Sequence, residues 1–93
     1  MRRLIWSLAS LRDLRAIDEY IASESRQAAL RTLQAIRDRA DQLRTYPRSG
    51  PVLSGEFRSL SVRTAPYLII YRAAKDRIEI VRVRHAREDW LPQ

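Results

Sequence analysis

An α+β domain with the element order β-α-α-β-β-β, a helical hairpin packed on one face of an antiparallel sheet, is the fold class this 93-residue sequence predicts. Three observations lead there. Residues 1–46 contain neither Gly nor Pro, whereas both glycines (Gly50 and Gly55) and all four prolines come later. Within that first half, apolar residues recur at three- and four-residue spacing, which is helical periodicity. After residue 56, β-branched and aromatic runs are bounded by polar turn residues, which is strand chemistry. Helices grouped before a run of strands form a layer on one side of a sheet.

The elements follow in order. Arg3 to Trp6 is a short apolar run, read as a first, edge strand. Ser7 is a helix N-cap, and Leu8, Leu11, Leu14, Ile17 and Ile21 form the apolar stripe of the helix it starts, with Tyr20 at its border. Asp13, Asp18 and Glu19 oppose Arg12 and Arg15 on the side assigned to solvent. The pattern breaks at Ser23-Glu24-Ser25, and Ser25 caps a longer helix to about Leu43 with Ala29, Leu33, Ile36, Ala40 and Leu43 on one face. A break this short gives an antiparallel helical hairpin, and the small Ala28, Ala29, Ala35 and Ala40 allow close approach. The loop Tyr46–Pro51 marks the passage from helices to sheet. Phe57–Arg63 then alternates, with Arg58, Leu60 and Val62 on one side and Phe57, Ser59, Ser61 and Arg63 on the other. Thr64-Ala65-Pro66 is a turn. Pro66–Tyr71 and Arg77–Arg84 complete a three-stranded antiparallel meander, the last strand expected to carry Ile78, Ile80, Arg82 and Arg84 on one face and Val81 and Val83 on the other.

Composition narrows the function. The length suffices for one domain, 1–93, with a modest core. With no cysteine and one histidine, disulfides and thiolate metal sites are excluded, and no cofactor is expected. Met1-Arg2-Arg3 followed by Leu4–Ala9 has the outline of a signal peptide, but Arg12, Asp13 and Arg15 end the apolar run too early. Nothing approaches the ~20 apolar residues of a membrane span, so a cytoplasmic chain is expected. The formal charge is +7, and 17 of the 18 cationic residues are arginine, Lys75 being the exception. Arginine suits bidentate contact with phosphate or carboxylate, so an anionic partner is expected: nucleic acid or an acidic protein segment.

In this order and spacing, Trp6-Ser7, Asp13-Leu14, Ile17, Tyr20-Ile21, Ala28-Ala29, Leu43, Pro47, Gly50, Arg58-Ser59-Leu60, Pro66-Tyr67, Ile70-Tyr71-Arg72, Ile80–Val83 and His85–Trp90 resemble the ParE/RelE superfamily of toxins from bacterial type II toxin–antitoxin pairs. The resemblance covers nearly the whole chain. The closing His-x-Arg-x-x-Trp and the Pro-Tyr pair are similar to the ParE branch, whose members poison DNA gyrase by trapping its cleaved DNA complex. The RelE branch cleaves messenger RNA on the ribosome. Here Leu68 stands where such nucleases carry a cation, and Trp90 lies near the position of their terminal tyrosine. The resemblance implies a ParE-like toxin that is not itself an enzyme, with a RelE-like, metal-independent endoribonuclease as the alternative. It also implies a cognate antitoxin, ParD-like with an acidic C-terminal segment, which would carry the complex to operator DNA.

The residues assigned to target or antitoxin binding are Arg58, Arg63, Arg72, Arg82, Arg84, Arg87 and Trp90; in the ribonuclease alternative, His85 and Arg87 would serve catalysis. Metal-free RNA cleavage needs a base for the 2′-hydroxyl, cations for the pentacovalent phosphate and an acid for the leaving oxygen. His85 suits either proton-transfer role, and Arg58, Arg82, Arg84 and Arg87 suit the second. The plainer reading is that His85 ends its strand bonded to a backbone group. Arg58, on the same side as Leu60 and Val62, is expected to be half-buried, with Asp13 or Glu88 as an ion-pair partner. Trp6 and Tyr71 are assigned to the core. Trp90 either packs on the sheet edge or anchors a target.

Overall fold

The computed structural model describes residues 1–87. Two helices lie against one face of a five-stranded sheet. The elements are β1 (Arg3–Trp6), α1 (Leu8–Ala22), α2 (Arg26–Gln42), β2 (Val52–Ser54), β3 (Phe57–Val62), β4 (Tyr67–Ala73) and β5 (Arg77–His85). The strand order is β1-β5-β4-β3-β2. The meander expected from the sequence is present as β3-β4-β5, and β1 is an edge strand. Two features depart from expectation. The first strand runs parallel to the last, Arg3 opposite Arg77 and Trp6 opposite Ile80, so the sheet is mixed. A further short strand, β2, folds back on β3 through Gly55, whose positive φ of 56° suits a residue without a side chain.

Both serine caps are observed. Ser7 Oγ accepts from the Ser10 amide and Ser25 Oγ from the Ala28 amide. Ser7 does more than cap: its amide donates to the Ile80 carbonyl at 2.9 Å and its hydroxyl to the Val81 carbonyl at 2.8 Å. These bonds fix the rotation of α1 about its axis. The inward line becomes Ser10, Leu14 and Ile17, with Ser10 wholly buried, while Leu8 is 65% and Leu11 48% exposed. Of the expected apolar stripe, Leu14, Ile17 and Ile21 meet the core, whereas its first turn, Leu8 and Leu11, is exposed and Ser10 takes the inward place. On α2, Ala29, Ile36, Ala40 and Leu43 are buried as expected.

The core joins these helix residues to Leu60 and Val62 of β3, Tyr67, Ile69 and Tyr71 of β4, and Ile78, Ile80 and Val83 of β5. Burying each large side chain contributes roughly 1.5–3 kcal/mol. Tyr71 is enclosed as expected, and Trp6 packs, partly buried, against the cluster. Val83 corrects the expected facing of the last strand. Ile70 pairs with Arg82 but Tyr71 with Ile80, so Val81 is left over as a bulge. One extra residue reverses the alternation. Val83 thus joins Ile78 and Ile80 on the helix side, and Arg82 and Arg84 stand on the opposite face, across from Ile70 and Leu68.

Candidate functional site

The expected site residues fall into three environments. On the face away from the helices, Arg72 is held in a network. Its guanidinium donates to Glu79 through Nε at 2.9 Å and through Nη2, lies 3.7 Å from Glu56, and covers the Phe57 ring with 5.9 Å from Cζ to the ring centre. Arg77 Nε donates to the other oxygen of Glu79 at 2.6 Å. Shared between two guanidinium groups, the Glu79 carboxyl is held below its ordinary pKa, and both arginines are raised above theirs, chiefly by their bonds to it. Arg84, half-buried, stands farther along this face.

At the edge of β5, beyond the last residue covered by β1, α1 supplies what a neighbouring strand would. Asp13 accepts from Arg82 Nε at 2.8 Å, from Arg82 Nη2 at 2.9 Å and from the Val83 amide at 2.9 Å. This corrects the assignment of Asp13 to a solvated helix face: its side chain is only 14% exposed. It also corrects the partner foreseen for Arg58. Half-buried as expected, Arg58 donates through Nη1 to the Gly50 carbonyl at 2.8 Å. The same loop is bound by Tyr71, whose hydroxyl donates to the Pro47 carbonyl at 2.8 Å and accepts from the Gly50 amide at 3.0 Å. Burial raises the Tyr71 pKa, the Gly50 bond and Arg58 opposing in part. Gly50 lies so close to β3 that an added Cβ would sit 2.4 Å from the Ser59 carbonyl oxygen.

His85, the last residue of β5, faces the helix side. Its ring meets Tyr67 edge-on, centroids 5.4 Å apart, and Nδ1 accepts from the Arg87 amide at 3.0 Å. Together they floor one end of an open groove of about 480 Å³ whose walls include Ile17, Tyr20 and Ile21 of α1, Thr32 of α2 and Pro66. Tyr20 is 78% exposed on its rim. The groove continues past Thr32 and Ala35 of α2 to Thr64 and exposed Arg63. Arg87 is exposed, and Trp90 and Glu88 lie outside the described residues.

The structure separates His85 from Arg58, Arg82 and Arg84, which a ribonuclease reading would gather around it, but keeps Arg87 beside it, the Arg87 amide donating to Nδ1. Arg84 is on the face opposite His85, and Arg82 rises from that face to the β5 edge, where Asp13 holds its guanidinium. Arg58 shares the histidine's face but stands beside Tyr71, four residues along β4 from Tyr67, or roughly 13 Å at ~3.3 Å per residue. Among the described residues no group of acidic and histidine side chains could hold a metal ion, and no helix is long and apolar enough to cross a membrane. Asp13 and Glu79 are the partners the sequence did not reveal. Asp13 meets residues 69 and 70 positions away, and no local pattern marks such a contact. Glu79 carried a local signal, an acid flanked by apolar positions in a strand with arginine two residues before it.

Comparison with known proteins agrees with this architecture. Residues 4–90 match the family described as the ParE toxin of the type II toxin–antitoxin system parDE. Toxin RelE2 of Caulobacter vibrioides is 38% identical over 86 residues, spanning 92% of this chain and 97% of its own. Among solved structures, the chromosomal ParDE toxin–antitoxin system from P. aeruginosa superposes with a TM-score of 0.78 at 26% identity, covering 91% of this chain and 96% of that one. A YoeB/ParE toxin from Agrobacterium tumefaciens shares the fold, with a TM-score of 0.65 at 23% identity, covering 89% and 96%.

Proposed function

Because the chain belongs to the ParE toxin family of type II toxin–antitoxin systems, we propose that it acts by binding DNA gyrase and holding the enzyme's cleaved DNA intermediate, and that a ParD-like antitoxin neutralises it. In this reading the toxin contributes binding energy and gyrase performs the strand cleavage. A ligand that binds the cleaved state more tightly than the resealed one raises the cleaved population by that difference in affinity.

The observation that favours this reading over RNA cleavage is the division of His85 from Arg58, Arg82 and Arg84, which leaves Arg87 beside it without the other three. A proton-transfer group must lie within hydrogen-bond reach of the phosphate its cations stabilise. Here the sheet stands between His85 and Arg84, Arg82 is held at the β5 edge by Asp13, and Arg72 is engaged by Glu79. The +7 charge favours an acidic antitoxin segment, and the groove between the helical hairpin and the β3–β4 turn offers it an apolar floor flanked by cations.

A gyrase cleavage assay with the purified protein tests the reading. Linear DNA that appears only with gyrase and toxin together, and only after detergent and protease treatment, supports it. Absence of linear DNA with folded protein, together with ribosome-dependent cleavage of messenger RNA, would overturn it.

A further inference from the structure

At the end of the sheet remote from His85, an open cleft of about 570 Å³ lies between the start of β1, the C-terminal end of α2 and the β4–β5 turn. Met1, Arg2, Arg44, Thr45, Lys75 and Asp76 line it. It is separated from His85 by the length of β5, roughly 25 Å at ~3.3 Å per residue, and none of the arginines discussed above belongs to it.

The cleft is built around two anchored guanidinium groups. Arg2 Nε donates to the Ala74 carbonyl at 3.1 Å, and Arg44 Nε to the Arg2 carbonyl at 2.9 Å. Each group is fixed by one nitrogen. Arg44 spends a second on Asp41 at 3.2 Å, while the terminal nitrogens of Arg2 bond to nothing among the described residues. Lys75 is exposed and makes no ion pair with those residues. The one carboxylate lining the cleft, Asp76, is already approached by Arg77 at 3.1 Å and Arg3 at 3.9 Å. The lining therefore has a surplus of positive charge, supplied by Arg2 and Lys75.

We infer that this cleft seats the phosphodiester backbone of duplex DNA, an inference that rests on the gyrase reading for the presence of DNA beside the toxin. The alternative anion, an acidic peptide, fits less well. Peptides that bind at a sheet edge draw on main-chain hydrogen bonds. Here the Arg2 amide and carbonyl are both taken by Arg44, and the Ala74 carbonyl by Arg2. What the cleft offers is a guanidinium fork and an ammonium, which match regularly spaced phosphates.

The test is fluorescence anisotropy of the full chain with a short labelled duplex, without gyrase, across a salt series. Arg2→Ala/Lys75→Ala should weaken binding about ten- to a hundredfold near ~0.1 M salt and reduce the slope of log K against log salt by about 2. Lys75→Ala alone breaks no internal bond, so folding cannot account for its effect; it should weaken binding about three- to tenfold and reduce the slope by about 1. A control of equal charge, Arg12→Ala/Arg26→Ala on the exposed helix surfaces, should change binding less than about twofold. An equal loss in the control, unchanged binding of Lys75→Ala, or tighter binding of polyglutamate or single-stranded RNA than of the duplex would overturn the inference. Since gyrase is absent, these results are independent of whether the protein traps the cleaved complex; a variant that loses duplex affinity in the salt series speaks only to the cleft.

Discussion

Replacing Asp13 by alanine should destabilise the protein far more than removal of an exposed carboxylate such as Glu24. The carboxylate accepts three hydrogen bonds at 2.8–2.9 Å, two from one guanidinium and one from the Val83 amide. Hydrogen bonds to a charged group contribute about 1.5–3 kcal/mol each, but the three share one acceptor and are not additive. The Arg82 side chain is 40% exposed, so after the substitution water recovers much of its solvation and the ion-pair share is small. The Val83 amide lies along the part of β5 that β1 does not reach, and it loses its partner. A net cost of about 2–4 kcal/mol follows, against a total stability of about 5–15 kcal/mol for a domain of this kind. Asp13→Asn keeps one acceptor oxygen and should cost about half as much. Urea denaturation gives the free energies, and native-state hydrogen exchange gives the Val83 amide directly: its protection should collapse in Asp13→Ala. A change below ~0.5 kcal/mol, within the ordinary range for surface substitutions, with Val83 still protected, would refute the claim that α1 completes the sheet edge.

Further outcomes follow from the contacts described above. Gly50→Ala places a Cβ against the Ser59 carbonyl and should cost about 1–3 kcal/mol, visible as a lowered melting temperature, and Tyr71→Phe, which leaves the Gly50 amide and Pro47 carbonyl without the hydroxyl, should cost about 1–3 kcal/mol in the same assay. Glu79 has a folded pKa below its ordinary value of 4.5, so its contribution is full above that value and is lost as pH falls through the lowered one; the stability difference between wild type and Glu79→Gln should be constant near neutrality and shrink on acidification. Tyr71 runs the other way: its folded pKa is raised above 10.0, so its contribution is full below that value and declines as pH climbs through the raised one, which alkaline denaturation of Tyr71→Phe against wild type would measure. On the gyrase reading, His85→Ala should leave trapping within about twofold, since the ring packs on Tyr67 and accepts a backbone bond from Arg87; loss of trapping in a protein that melts normally would return His85 to a functional role.

Much of this architecture is legible in the sequence because its determinants are local. Ser7 and Ser25 each precede a run of helical periodicity, and both cap helices in the structure. Ala29, Ile36, Ala40 and Leu43 share one face by spacing alone, and that face is buried. What the sequence hid depends on distant partners. Leu8 and Leu11 are apolar at helical spacing and Ser10 is polar, yet Ser10 is the residue enclosed, on a helix tied to Ile80 and Val81 through Ser7. The Val81 bulge is a property of two strands in register, so Arg82 and Val83 exchange faces with no local sign. β2 has three residues, too few to show alternation. Of the candidate site, the chemistry of Arg58, Arg72 and Arg82 was visible as charge, whereas their partners, the Gly50 carbonyl, Glu79 and Asp13, required the fold.

The parallel pairing of β1 with β5 bears on how the chain acquires its shape during synthesis. β1, which leaves the ribosome before the other described strands, is stitched to β5, which follows them, and the Ser7–Val81 bond closes a separation of 74 residues. Closing a flexible loop of that length costs about 4 kcal/mol in chain entropy, scaling as (3/2)RT ln n, before any constant is added. While the polypeptide is still being made, β1, the Ser7 junction and the Asp13 carboxylate have no counterpart, and α1 lacks the strand that fixes its rotation. Long-range closure of this kind delays folding relative to chains held by local contacts. The surface of the folded toxin therefore comes into being only once β5 has been made, and a polypeptide cut short before Arg77 forms neither the edge strand nor the latch on α1.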